Sequence, residues 1–174
     1  MSMRDKQSNE CNYKVNAPYP PVRVVGPNPV YASEMLCNVA DVVSEMSDVT
    51  RYFYISVVTK PQYSWISACF RRIGIVEMHH LNIFADLALL LGADPRLWSG
   101  GRECMRWWSP GFIGYPRELR SLIAESIKAE EAAINKYSRQ ANTIGDPNIV
   151  AILHRIIRDE RRHLQIFSEM SQQI

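Results

Sequence analysis

Cysteine is scarce and scattered in this chain: Cys11, Cys37, Cys69 and Cys104 are the four among 174 residues. No Cys-x-x-Cys occurs, which argues against a zinc ribbon, a rubredoxin-type iron site and a disulfide framework. Reduced, partly buried thiols in a cytosolic protein are the expectation. An excess of either charge is also missing. Twenty Lys and Arg against eighteen Asp and Glu leave a formal net charge of +2. The basic residues are dispersed and form no aromatic–basic motif, so no nucleic-acid partner is expected. The Arg-rich run Arg155 to Arg162 alternates with Ile and acids, and reads as a solvated helix face. Long apolar runs are lacking as well. The most apolar, Leu87 to Leu91, falls far short of the roughly 20 residues that span a bilayer, so no membrane partner is expected. The opening residues Met1 to Ser8 carry no apolar stretch of a secretion signal, and a cytoplasmic location follows as an expectation.

Apolar residues are plentiful, at 47% against 22% charged. That balance suits one globular domain able to bury a sizeable core. Residues 1–28 are proline-dense (Ala17-Pro-Tyr-Pro-Pro-Val22, Gly26-Pro-Asn28) and read as an extended arm. Its apolar residues Tyr19, Val22, Val24 and Val25 should lie against the rest of the chain or a neighbouring subunit. Residues 29–174 read as an all-α four-helix bundle. Asn28-Pro29 opens a first helix running to about Thr59, and Pro61 opens a second ending near Leu91-Gly92. Pro116 opens a third ending near Ile144-Gly145, and Asp146-Pro147 starts a fourth reaching nearly to Ile174. Apolar positions recur at three and four, as in Leu36, Val39, Val42, Val49 and Phe53. Short joins make two antiparallel hairpins, and one long crossover, Ala93 to Tyr115, connects them. The crossover carries Trp98, Trp107, Trp108, Phe112 and Tyr115, too much aromatic surface to leave wet.

The chemistry concentrates in Asp159-Glu160-Arg161-Arg162-His163. On a helix, Glu160 and His163 face the same way, one turn apart. A lone Glu-x-x-His is weak, but Glu77-Met-His-His80 repeats it. Glu45 precedes Tyr52 by seven residues, and Glu130 precedes Tyr137 by seven. The chain therefore holds two related hairpins, each Glu-x6-Tyr followed by Glu-x2-His. Each of the four glutamates lies about 15 residues, roughly 22 Å of helix, from its hairpin turn. All four carboxylates thus reach the bundle midsection at matching heights. Four carboxylates in a low-dielectric core repel one another. Two divalent cations would balance their charge, with two imidazoles as neutral donors. His79 and His154 point elsewhere, Glu118, Glu125, Glu131 and Glu169 read as solvated, and Glu34 lies near the bundle end.

This set resembles the ferritin-like di-metal carboxylate superfamily over about residues 29–172. Within it, the Glu-x6-Tyr elements look most like rubrerythrins, and the single small domain is also similar to manganese catalases. The resemblance implies metal ligands Glu45, Glu77 and His80 in one half and Glu130, Glu160 and His163 in the other. It leaves open whether the bridging carboxylates come from the second and fourth helices or from the first and third. Rubrerythrins often carry an extra carboxylate one turn before the third-helix ligand. Here that position is Ile127, a departure that bears on the ligand-switching form of their mechanism.

By the same resemblance, Asp159 would accept a hydrogen bond from the non-ligating nitrogen of His80. The matching position in the other half is Val76, so His163 needs a different partner. Tyr52 and Tyr137 would hydrogen-bond ligand carboxylates or relay electrons. The competing readings are an exposed Asp159 and two plain core tyrosines. The implied cofactor is a pair of iron or manganese ions, and the implied substrate hydrogen peroxide or dioxygen. Reduction or disproportionation of peroxide is the leading expectation, with an external electron donor if the metal is iron. Ferroxidase and iron storage, or a coat protein with a metal-stabilised bundle, are the alternatives. The expected assembly is a homo-oligomer, with a dimer favoured.

Overall fold

The computed structural model describes residues 12–100 and 105–174. The fold is the all-α bundle expected, but its first helix is broken in two. Asn28 caps α1 (Pro29–Ala40), its side-chain oxygen accepting from the amides of Val30 at 3.0 Å and Tyr31 at 3.1 Å. At Asp41 the backbone turns extended (φ −95°, ψ −174°). Val42 and Val43 add two β-branched residues with little helical preference. Ser44 then caps α2 (Glu45–Thr59). The ammonium of Lys136 donates to the Cys37 carbonyl at 2.8 Å and the Val43 carbonyl at 2.7 Å, satisfying acceptors at the break. The interruption puts Glu45 in the first turn of a helix, where the backbone dipole favours negative charge.

The second bundle helix, α3 (Ser64–Leu90), starts after Pro61 rather than at it. It ends at Gly92, whose φ of +97° is a left-handed value that side chains avoid. A Cβ there would sit an ordinary 4.0 Å from Pro27, so an alanine would meet backbone strain and no clash. Gly92→Ala is expected to cost about 1–2 kcal/mol. A denaturation midpoint equal to the parent's would contradict this. The other hairpin comprises α4 (Leu119–Thr143) and α5 (Pro147–Ser171), the latter capped by the Asp146 carboxylate on the Asn148 amide at 2.9 Å.

Two apolar clusters fill the bundle, and their order along the helices fixes its topology. Along α3 the first cluster (Ile66, Phe70, Ile73) precedes Glu77 and His80, and the second (Ile83, Phe84, Leu87) follows them. Along α5 the order reverses, from Ile149, Ile152 and Ile156 through Glu160 and His163 to Ile166 and Phe167. So α3 and α5 run antiparallel, with the polar residues sandwiched between two apolar layers. By the same ordering α2 and α4 are antiparallel. α3 is also long and apolar enough to cross a membrane by length and composition, but its apolar stripe is the face packed in this core.

The crossover forms a two-residue ribbon, β1 (Trp98–Ser99) antiparallel to β2 (Arg106–Trp107), then a 3₁₀ turn over Pro110–Phe112. Trp98 and Trp108 pack on the core, while Trp107 and Tyr115 remain exposed. The arm lies on the bundle through Tyr19, Val22 and Val24, but the Val25 side chain is exposed. Residues 1–11 of the expected arm lie outside the described residues, as do Cys11 and Cys104. Cys37 is half-buried and Cys69 buried. One expectation fails clearly: Arg155 belongs to no solvated face and is buried, because the arm folds over it.

Candidate metal centre

Each of the six expected ligands is buried, and the structure brings them together. Glu45, Glu77, His80 and Glu160 form one group and Glu77, Glu130, Glu160 and His163 another, each with ligand atoms within 4.8 Å of one another. Glu77 and Glu160 belong to both groups. The carboxylates shared by the two halves are therefore those of the Glu-x-x-His pairs, on α3 and α5. Each imidazole turns Nδ1 inward. His80 Nδ1 lies 2.9 Å from Glu77 Oε2 and 3.1 Å from Glu160 Oε1; His163 Nδ1 lies 3.1 Å from Glu160 Oε2 and 2.8 Å from Glu77 Oε1.

Tyr52 and Tyr137 hold candidate ligand carboxylates, and each reaches across the bundle to do so. The Tyr52 hydroxyl donates to Glu130 Oε1 at 2.5 Å, and the Tyr137 hydroxyl donates to Glu45 Oε1 at 2.6 Å. Each tyrosine lies two helical turns, about 10.5 Å of rise, beyond the glutamate on its own helix, and its hydroxyl bonds the glutamate on the antiparallel helix instead. Asp159 is buried, not an exposed acid, and its Oδ2 lies 3.2 Å from His80 Nε2. The partner that His163 needs is the backbone carbonyl of Tyr13, 2.8 Å from Nε2.

The donor set fits a pair of divalent ions by three observations. Among the described residues no lysine or arginine pairs with any of the four glutamates; Arg51 and Arg155 pair with Asp48 and Asp159 instead. The buried oxygens Glu77 Oε1 and Glu160 Oε1, both of the shared carboxylates, receive no well-aligned hydrogen bond, although His163 Nδ1 and His80 Nδ1 stand 2.8 Å and 3.1 Å away. Buried acceptors are rarely left so, and a cation is the partner they suit. Carboxylate and imidazole together are donors for manganese, iron or zinc.

Residues 40–171 match the family model of Rubrerythrin. That span holds all six candidate ligands. The chain belongs to the rubrerythrin family. Two solved structures of KatB, a manganese catalase from Anabaena, are similar to it at a TM-score of 0.80 and 18% identity. The likeness covers 91% of this chain and 78% of KatB. At that identity it shows the fold, a ferritin-like four-helix bundle. No curated protein is similar enough in sequence to match.

Several groups around this rubrerythrin-family site escape a sequence reading. Asp48, one turn after Glu45, is buried, and its carboxylate pairs with Arg51. Its offset of three from Glu45 was the available signal. Arg155, four residues before Asp159, pairs with it at 2.7 Å. Its i,i+4 spacing was legible, whereas its burial depends on the arm. The arm's Tyr19 was legible as a packing residue but not as a contact of the site, and Tyr13 carried no local signal.

Burial, then Glu160, pushes Glu45 up to about 8. Burial also lifts Asp48 to about 7, against the pull of Arg51. Glu160 goes the other way: burial opposes its charge, but His80 and His163 hold it down at about 2. The two imidazoles are raised well above their ordinary range; burial opposes this, and Glu160 for His80 and Glu77 for His163 overcome it. The site thus stores protons that entering cations would displace.

A pH dependence follows for the chelator-treated chain. Glu45 binds its proton more tightly folded than unfolded, so its contribution is full below about 4.5 and lost as pH rises through about 8. The Glu160 shift has the opposite sign and acts only in acid. The melting temperature in chelator is expected to fall between about pH 5 and about pH 8.5, and to fall less with manganese(II) present. Equal slopes with and without metal would refute the assignment.

Proposed function

We propose that this rubrerythrin-family protein is a dinuclear iron or manganese oxidoreductase that reduces or disproportionates hydrogen peroxide. One observation carries the reading: Glu77 and Glu160 each belong to both four-residue groups in a buried core. Two ions held by these two groups would supply the two electrons that cleavage of the peroxide O–O bond consumes. The chain's residues do the rest. Tyr52 and Tyr137 fix the two unshared carboxylates, and the Glu-x-x-His imidazoles aim Nδ1 inward. Apolar layers on both sides exclude bulk water. Asp48, buried one turn from Glu45 and outside the six candidate ligands, is raised to about 7 in the metal-free chain and is the carboxyl beside the site able to hold or yield a proton near neutral pH. Peroxide reduction needs two protons and two electrons per two waters formed. Disproportionation draws both from a second peroxide, which leaves as dioxygen.

The test loads the chain with manganese(II) or iron(II) and follows peroxide loss with and without an added electron donor. Donor-independent dioxygen release with manganese identifies a catalase. Donor-dependent consumption with iron identifies a peroxidase, served in the cell by an external donor. No acceleration over free metal in either arm would overturn the proposal.

A further inference from the structure

The segment that covers the outer side of both imidazoles is the arm, residues 12–25, which lies wholly outside the family match beginning at residue 40. The Tyr13 carbonyl meets His163 Nε2 at 2.8 Å. The Val15 amide donates to Asp159 Oδ1 at 2.7 Å, and the Tyr19 hydroxyl donates to Asp159 Oδ2 at 2.5 Å. That hydroxyl's oxygen also lies 3.2 Å from His80 Nε2. Arg155 hooks the arm down, donating to the carbonyls of Val15 and Ala17 at 2.9 Å each, with its guanidinium 4.1 Å from the centre of the Tyr19 ring. Arg162 adds a bond to the Asn12 carbonyl at 3.0 Å.

The chemistry of these contacts is one-directional. A backbone carbonyl can only accept, so His163 Nε2 must carry a proton. The Tyr19 hydroxyl spends its hydrogen on Asp159, so toward His80 it too can only accept. Asp159 is an ionised acceptor paired with Arg155. Both rings are therefore held with Nε2–H outward, which leaves Nδ1 as the nitrogen able to offer a lone pair inward.

We infer that the arm is a strap for the metal centre: it sets the metal-ready tautomer of both histidines, and its docking and metal binding stabilise each other. This rests on the dinuclear reading above. Linkage makes the coupling reciprocal. An ion on Nδ1 makes each Nε2–H a stronger donor and tightens the arm, and a loosened arm frees the rings and loosens the ions. The strap also treats the halves unequally. His80 faces a carboxylate and His163 a neutral carbonyl, so the ion on the His80 side is bound through the more electron-rich imidazole.

The test uses the full chain and manganese(II). Amide hydrogen exchange at residues 13–17 is expected to slow about tenfold on loading. Val15→Pro deletes the amide that bonds Asp159, and Tyr19→Ala deletes the hydroxyl, its contact with His80 Nε2 and the ring beneath Arg155; neither alters any of the six candidate ligands themselves. Both variants are expected to release manganese to a chelator about tenfold or more faster than the parent. Their melting temperatures in chelator should differ from the parent's by less than those with metal. Loading two ions with unchanged exchange at residues 13–17 and unchanged release from both variants would overturn the strap alone. So would an equal loss of melting temperature with and without metal, which marks a merely structural role. A parent chain that takes up less than one ion would overturn both the strap and the centre it serves.

Discussion

Glu160→Ala is expected to cost the chain both ions, where Glu45→Ala or Glu130→Ala costs it one. The difference follows from membership: Glu160 serves both four-residue groups, whereas Glu45 serves only the first and Glu130 only the second. Glu160 Oε1 stands 3.1 Å from His80 Nδ1 and Oε2 3.1 Å from His163 Nδ1, so its two oxygens address the two halves separately. Its loss leaves each group three donors and removes one of the two carboxylates they share, with Glu77 left as the other. Metal analysis of protein equilibrated at a free manganese(II) concentration that saturates the parent gives the readout. Two ions are expected for the parent, about one for the single-group variants, and well under one for Glu160→Ala. Peroxide turnover should fall about a thousandfold, about 4 kcal/mol of barrier at 1.36 kcal/mol per decade. Glu160→Gln keeps the shape without the charge and guards against a packing artefact. Two ions retained by both variants would sink the bridging assignment.

What could be read from residues alone was whatever repeats along the chain. The two Glu-x-x-His pairs, the Glu-x6-Tyr pairs and the hairpin turns are local patterns, and helical rise converts them into heights. That arithmetic brought four glutamates and two histidines to one level, the family resemblance made them six candidate ligands, and the structure gathers all six side chains. The tyrosines were legible as site residues but not as cross-bundle donors, since their targets depend on which helices run antiparallel. The break before Glu45 was missed for a similar reason. Val42 and Val43 weaken a helix only slightly, and the break is completed by Lys136, some ninety residues away in sequence. Arg155 reads as solvent-facing in any periodicity argument. Only the arm, folding back through the Val15 and Ala17 carbonyls, buries it. Local pattern specified the centre, and long-range contact specified what surrounds it.

Adding saturating manganese(II) or iron(II) to chelator-treated protein is expected to raise its melting temperature by about 10–20 °C. The size comes from mass action: each ion at a hundredfold over its dissociation constant adds about 2.7 kcal/mol, and two add about 5.4 kcal/mol. For a chain of this size, about 2–4 °C accompanies each kcal/mol. The physical source is the same repulsion that singles out the site. Glu45 and Glu130, both raised by burial and by Glu160, resist ionising together; among the described residues no lysine or arginine pairs with them, and His80 and His163 offset the shift only in part. Cations replace shared protons with full charge balance, so the gain should grow as pH rises toward the value of about 8 that Glu45 reaches. Glu160→Ala should abolish most of the gain, and the single-group variants about half of it. Calorimetric scans at two pH values, with metal and with chelator, measure each of these. A melting temperature unmoved by either metal would mean that the four buried glutamates are satisfied by shared protons alone, and the reading of this core as a metal centre would fall.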